Sequence, residues 1–201
     1  SSTTADTSYS AENPLVLTLA HGLSETHTVH IAMTQFADEV AEKTDGRIQV
    51  KIFPNGQLGS ENENLEQLQA GVIAMTKVSA PGLATYNDAF NTFGLPYIFN
   101  DTDDFYHVMD SQEMQDFFLS TGDDGFVTLT YYTSGARSFY TKDRAIRTPA
   151  DLKGLKIRVQ DMKSQTDMMS YLGGIPVAMS YGDVYTCLLY TSPSPRDTER
   201  S

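Results

Sequence analysis

The chain has 201 residues, 40% of them hydrophobic, with a formal net charge of -12 and a pI near 4.6. That apolar fraction supports a core and excludes a disordered chain, while the acidity argues against a nucleic-acid or anionic-membrane surface, which needs clustered cations. No stretch approaches the roughly 20 apolar residues of a membrane span, and the single cysteine, Cys187, provides neither a disulfide framework nor a thiolate metal site.

Residues 1–13 open with SSTTADTSYSA, small and polar without apolar periodicity, which predicts a flexible leader or an ordinary frayed terminus. A signal peptide removed before Ser1 is expected, and the leader would suit a lipid-anchored tether. Leu15 to His21 predicts a buried strand, and Thr26 to Lys43 an amphipathic helix with Val29, Met33, Phe36, Ala37 and Val40 on one face. Arg47 to Phe53 alternates through Ile48, Val50 and Ile52 as a strand does, and Pro54-Asn55-Gly56 is a turn. Ser60 with Glu63 forms a capping box that opens a helix to Gly71. Val72 to Ser79 is the next strand. This β-α-β-α-β order implies an α/β chain with a mainly parallel sheet. Further on, Asp101 to Thr121 predicts one helix and Phe126 to Tyr132 a strand, with Ser134-Gly135-Ala136 as a hinge or crossover. Ser138 to Thr141 and Leu155 to Val159 are strands, with a short helix opened by Thr148-Pro149 between them. Ser164 to Leu172 is a helix, and Ser180 with Asp183 caps the start of another.

The end of the chain departs from this pattern. CLLYTSPSPRD, from Cys187, brings two prolines where a helix has just begun. The peptide also resembles the conceptual translation of a sequencing-adapter sequence. Residues 187–201 are therefore expected to be a non-native tail without a defined place in the fold, on a fragment whose native sequence ends near Thr186.

Five strings, in order over about residues 14 to 186, carry a resemblance. They are Asn55-Gly56-Gln57-Leu58-Gly59, Phe93-Gly94-Leu95-Pro96-Tyr97, Gly135-Ala136-Arg137, Asp151 to Arg158 (DLKGLKIR) and Met179 to Tyr185 (MSYGDVY). Together they resemble the DctP-type solute-binding subunits of tripartite ATP-independent periplasmic (TRAP) transporters. The resemblance implies a type II periplasmic-binding fold of two α/β lobes with a carboxylate ligand in the cleft between them. It divides the chain into lobe 1 over residues 14–134 and an incomplete lobe 2 over 135–186. It also implies that a later part of the family's chain, including an asparagine ligand, is lacking.

Arg158 follows Leu155 and Ile157 toward the end of a predicted strand, where binding sites of open α/β sheets lie. Its planar fork matches a carboxylate in two parallel hydrogen bonds; the alternative is a surface arginine on an edge strand. The resemblance makes Arg158 the ligand anchor and Arg137 a second contact, with a structural ion pair as the other reading of Arg137. Tyr181 matches an aromatic that stacks on ligand, or else packs in the core beside Met179. Glu61 and Ser79 match positions that contact ligand in some members. Sialic-acid-binding members carry an acid at Ser79 and an asparagine at Ala20, so an amine-bearing sugar acid is disfavoured. His21, at the end of the first strand, is a candidate to line the cleft.

His27 and His30, at i and i+3, lack a Cys or acidic partner at ligand spacing, so no metal is expected. No dinucleotide, Walker-type or nucleophile-elbow pattern occurs, so neither cofactor nor catalysis is expected. The reading is an extracytoplasmic, monomeric solute-binding protein, periplasmic or lipid-anchored. It captures a small carboxylate, a sugar acid such as a uronate or a C4-dicarboxylate, for TRAP membrane subunits, and does not bind nucleic acid. Its rival is an enzyme acting on carboxylated sugars with His21 and Glu61 as a proton-transfer pair.

Overall fold

The computed structural model describes residues 9–133, 135–142, 144–179 and 181–191. Among these, two compact units form, one from residues up to Ser79 with Leu119–Thr128, the other from Ala80–Phe118 with residues from Leu129 on. The lobe boundary expected at 134 falls on Ser134, outside the described residues.

The first unit is built on β1 (Leu15–Ala20), β2 (Ile48–Phe53) and β3 (Met75–Thr76), a parallel sheet in the order β2-β1-β3. Register runs from Leu15 opposite Ile48 to Ala20 opposite Phe53. Parallel neighbours need a crossover, and the helices α1 (Thr28–Lys43) and α2 (Glu61–Gln69) supply the two. α1 starts on His27, whose Nδ1 accepts the Val29 N–H at 3.1 Å, so His27 is a helix cap. α1 lays Val29 and Met33 against Leu19, and Leu23, Val50, Ile52 and Met75 close the cluster. α2 has the expected capping box at Ser60 and Glu63. The strand expected over Val72 to Ser79 shrinks to Met75–Thr76, because only the last two residues of β1 are opposite it.

In the second unit the expected single helix over Asp101 to Thr121 is two, α3 (Thr102–Met109) and α4 (Gln112–Ser120). Ser111 causes the break: its Oγ donates to the Val108 carbonyl at 2.7 Å and accepts the Met114 N–H at 3.3 Å, competing with helix continuation. Phe126 to Tyr132 is irregular rather than a strand. Its groups turn elsewhere: the Thr128 N–H, on the part that belongs to the first unit, donates to Thr121 Oγ1 at 2.9 Å, and in the second unit Tyr131 packs on Phe105 and Phe118 while its hydroxyl donates to Asp110 Oδ1 at 2.6 Å. Burial and that hydrogen bond push the Tyr131 hydroxyl up to about 12. Ser138 to Thr141 is also irregular and exposed.

Thr148 opens a 3-10 turn, Pro149–Leu152, in which the Asp151 carboxylate accepts from the Arg147 N–H, the Thr148 N–H and the Thr148 hydroxyl. Those bonds hold the Asp151 carboxyl below its ordinary value. β4 (Lys156–Val159) pairs in parallel with β5 (Ile175–Ala178) across α5 (Lys163–Tyr171). The sequence reading had no β5. Leu152, Val159 and Met169 form the core here. Gly174 is closely packed here: a Cβ would lie 2.6 Å from Met169 Sδ, so the buried Met169 side chain would have to shift.

α6 (Tyr181–Thr191) runs on through Cys187, so residues 187–191 lie in a helix where no defined place in the fold was expected. The run Cys187-Leu188-Leu189-Tyr190 is apolar and compatible with a helix, and the two prolines fall only at 193 and 195. Those prolines, Ser180 with its proposed cap, and residues 1–8 of the leader lie outside the described residues. Within the leader, Ser10 and Asn13 exchange backbone hydrogen bonds of 3.1 Å and close a turn.

Candidate functional site

In the first unit the polar groups gather at the carboxyl ends of the parallel strands. The Lys77 N–H and the Thr76 hydroxyl both donate to the Ala20 carbonyl at 3.0 Å, so the chain leaving β3 is tied to the end of β1. Glu61, the first residue of α2, reaches across to it. Its Oε2 accepts the Ser79 N–H at 3.1 Å, its Oε1 accepts the Ser79 hydroxyl at 3.3 Å, and the Lys77 ammonium stands 3.5 Å from Oε1. The structure thus joins Glu61 and Ser79, two of the candidate residues, and adds Lys77.

His21 follows β1 and is 0% exposed. Its Nδ1 accepts the Leu23 N–H at 3.1 Å, and its Nε2 lies 2.9 Å from His30 Nδ1. The first contact leaves Nδ1 without a proton, so Nε2 carries the single ring proton and donates it to His30. Burial, then His30, Lys77 and His27, lower the His21 pKa to about 4. His21 and Glu61 therefore do not form the proton-transfer pair of the enzyme reading: the imidazole is buried and held neutral, and the carboxylate is committed to Ser79 and Lys77. The i, i+3 pairing of His27 with His30 is also replaced, since one caps α1 and the other meets His21.

In the second unit Arg158 lies on β4 opposite Val177 of β5. It is half-buried, and its Nε and Nη2 both donate to the Met179 carbonyl, at 3.1 and 2.8 Å. Two bonds to one carbonyl fix the plane of the guanidinium near the end of its strand. Arg137 is exposed on the irregular segment that follows Gly135. Tyr181 starts α6, and its side chain lies outside the described part of the chain. Ala20 is fully buried, so a larger polar residue there would not fit without rearrangement.

Lys77 and the pairing of His30 with His21 were missed from sequence. Lys77 had a signal: it is the lone charged residue between Gln67 and Asn87. The His21–His30 pairing had none, because the two are nine residues apart and meet only once β1 and α1 pack.

Parallel α/β units with cationic and carboxylate side chains at strand ends define a class of small-molecule binding fold. The profile of the bacterial extracellular solute-binding proteins, family 7 (DctP), matches residues 19–190, and the chain belongs to that family. It is 38% identical over 182 residues to YiiZ of Salmonella typhimurium, covering 90% of this chain and 55% of that one. It is similar, at TM-score 0.84 and 35% identity, to a TRAP periplasmic solute-binding protein of Anaerococcus prevotii with bound D-glucuronate, covering 88% of this chain and 58% of that one. A TRAP periplasmic solute-binding protein of Xanthobacter autotrophicus with bound β-D-galacturonate matches at TM-score 0.82 and 34% identity, over 87% of this chain and 58% of that one. The fold class is thus the type II α/β fold of these proteins. The chain spans about half the length of the curated relatives it matches.

Proposed function

We propose that this protein is a receptor, not an enzyme, that captures a sugar acid outside the cytoplasm and delivers it to a TRAP-type secondary transporter. A hexuronate is the first ligand to try. The observation that carries this reading is the match, at TM-scores of 0.84 and 0.82, to two binding proteins with bound D-glucuronate and β-D-galacturonate. Arg158 gives the reading its chemistry. A carboxylate leaving water loses its hydration, and charge-assisted hydrogen bonds from a pre-oriented guanidinium offset that cost. Arg137 is proposed as a second cation for the ligand and Tyr181 as a stacking surface. Glu61 and Ser79 are proposed as polar contacts, and His21 as the residue that holds the end of β1 in place for them. The protein is proposed to act as a periplasmic monomer, a lipid anchor being the other placement.

Calorimetry with D-glucuronate, D-galacturonate, D-galactonate and succinate tests the reading. A sugar acid should bind with one-to-one stoichiometry and no product. Truncating one partner of a desolvated charge pair costs about 2–5 kcal/mol, so Arg158→Ala should weaken binding roughly 30-fold to several thousand-fold. Arg158→Lys should recover part of this, because an ammonium lacks the planar fork. If Arg158→Ala stays folded by thermal melt and binds within about threefold of wild type, the anchor is misassigned.

A further inference from the structure

We propose that Asn55-Gly56 is a self-modification site gated by the fold: when its turn opens, the Gly56 nitrogen converts Asn55 into isoaspartate, and the product cannot close the turn again. This inference does not depend on the sugar-acid reading above.

The sequence supplies the reacting pair. Of the asparagines in the chain, Asn55 alone is followed by glycine. Glycine has no Cβ to shield its nitrogen, so that nitrogen can approach the preceding side-chain amide. Asn55 is exposed and, among the described residues, its side chain has no hydrogen-bond partner. The pair forms the turn between β2 and α2. Asn55 at φ 56° and Gly56 at φ 67° both occupy the left-handed region, the type I′ pattern that favours Asn-Gly. The Gln57 N–H closes the turn on the Pro54 carbonyl at 3.1 Å.

The gate is the main chain. The Gly56 N–H donates to the His21 carbonyl at 3.0 Å, and the Asn55 N–H donates to the Leu23 carbonyl at 2.9 Å. The His21 N–H in turn donates to the Phe53 carbonyl at 3.0 Å, so the turn and the end of β1 are stitched from both sides. His21 is 0% exposed and Pro54 is buried, which keeps the acceptor of the Gly56 proton out of water. Removal of that proton therefore waits for the turn to open.

In the open turn, base removes the Gly56 amide proton and the nitrogen attacks Asn55 Cγ. The N–Cγ bond forms, the Cγ–Nδ2 bond breaks, and ammonia leaves behind a succinimide ring. Water then adds to either ring carbonyl and opens the ring, with no change of oxidation state. Addition at Cγ gives an ordinary aspartate. Addition at the main-chain carbonyl frees the α-carboxylate and routes the chain through Cβ and Cγ, which is isoaspartate. The extra main-chain atom moves the Gly56 N–H away from the Asn55 N–H, so the bonds to His21 and Leu23 cannot both form again. The buried His21 carbonyl then loses its donor, a loss that destabilises the end of β1.

The test incubates the folded 201-residue chain, the same chain in urea, and a synthetic peptide of residues 51–60 at mildly alkaline pH. Mass spectrometry of the digests follows deamidation at Asn55. Peptide and urea-unfolded chain should react alike, and the folded chain about tenfold or more slower. Amide exchange at Gly56 begins with loss of the same proton, so its protection factor should match that slowing within about threefold. A folded chain that reacts at the peptide rate, or a slowing that departs from the Gly56 protection factor by about tenfold, overturns the gate. The isoaspartyl chain, made in urea, separated by its added charge and refolded, should melt about 2–4 °C or more below wild type. Freshly prepared Asn55→Asp carries the same charge on an intact main chain and should melt closer to wild type. An isoaspartyl chain that melts no lower than Asn55→Asp overturns the claim that the product keeps the turn open.

Discussion

The Leu23 N–H on His21 Nδ1 and His30 against its Nε2 leave the His21 imidazole one comfortable state, neutral with its proton on Nε2. A second proton would have to go on Nδ1, facing a donor, in a site that is 0% exposed and near the Lys77 ammonium. Its pKa is therefore lowered from 6.5 to about 4. In the unfolded chain the ring protonates through about 6.5, so between those values the unfolded state binds more protons and stability falls as pH falls. The contribution is complete well above pH 6.5 and is lost progressively toward pH 4, a total on the order of 3 kcal/mol. Urea denaturation from pH 8 to pH 4 should show this decline, and a proton NMR titration should find the His21 ring neutral at pH 5. A His21 ring that titrates near 6.5 would contradict the geometry. Glu63, whose carboxyl is lowered by the Ser60 N–H, has the same sign in a lower window, below about pH 4.5.

At the scale of elements, α2 shows what a local device contributes to a site. Ser60 Oγ accepts the Glu63 N–H at 3.3 Å and Glu63 Oε2 accepts the Ser60 N–H at 2.7 Å, satisfying two N-terminal donors reciprocally. The cap fixes the first turn, and the first turn carries Glu61 toward Ser79 and Lys77. Ser60→Ala should cost about 1 kcal/mol of stability, a fall of roughly 2–4 °C in Tm for a chain of this size, and should weaken sugar-acid binding along with it. A melt unchanged within error would show the cap to be idle. Such devices are legible from sequence because both partners lie within one turn: the capping box at Ser60 and the Thr148 start of the 3-10 turn both read correctly. Strands are legible only as far as their neighbours allow. β1 and β2 read well because six residues of each are paired, whereas Phe126 to Tyr132 had the pattern of a strand and found aromatic side chains in place of a neighbour. For the same reason Glu61 and Ser79 were picked from short strings, while the His21–His30 pairing required the tertiary fold.

At the scale of the whole molecule the charge balance sets how an anion arrives. The net charge of -12 contributes a net long-range repulsion of a monoanionic ligand. The attraction comes from a few cations at contact distance, of which Arg158 is the proposed anchor. These two fields respond differently to salt. The Debye length falls from about 30 Å at 0.01 M to about 8 Å at 0.15 M, so added salt removes the distant repulsion and leaves a contact pair in a partly dehydrated site nearly intact. Association of D-glucuronate should therefore accelerate with salt, by about two- to fivefold over that range, while dissociation changes little. Most ligand captures driven by opposite net charges slow down with salt, so the sign alone is informative. Stopped-flow fluorescence at several salt concentrations measures both rates. An association rate that falls as salt rises would mean that a basic region dominates the approach, and that the capture step is steered by more cations than Arg158, Arg137 and Lys77.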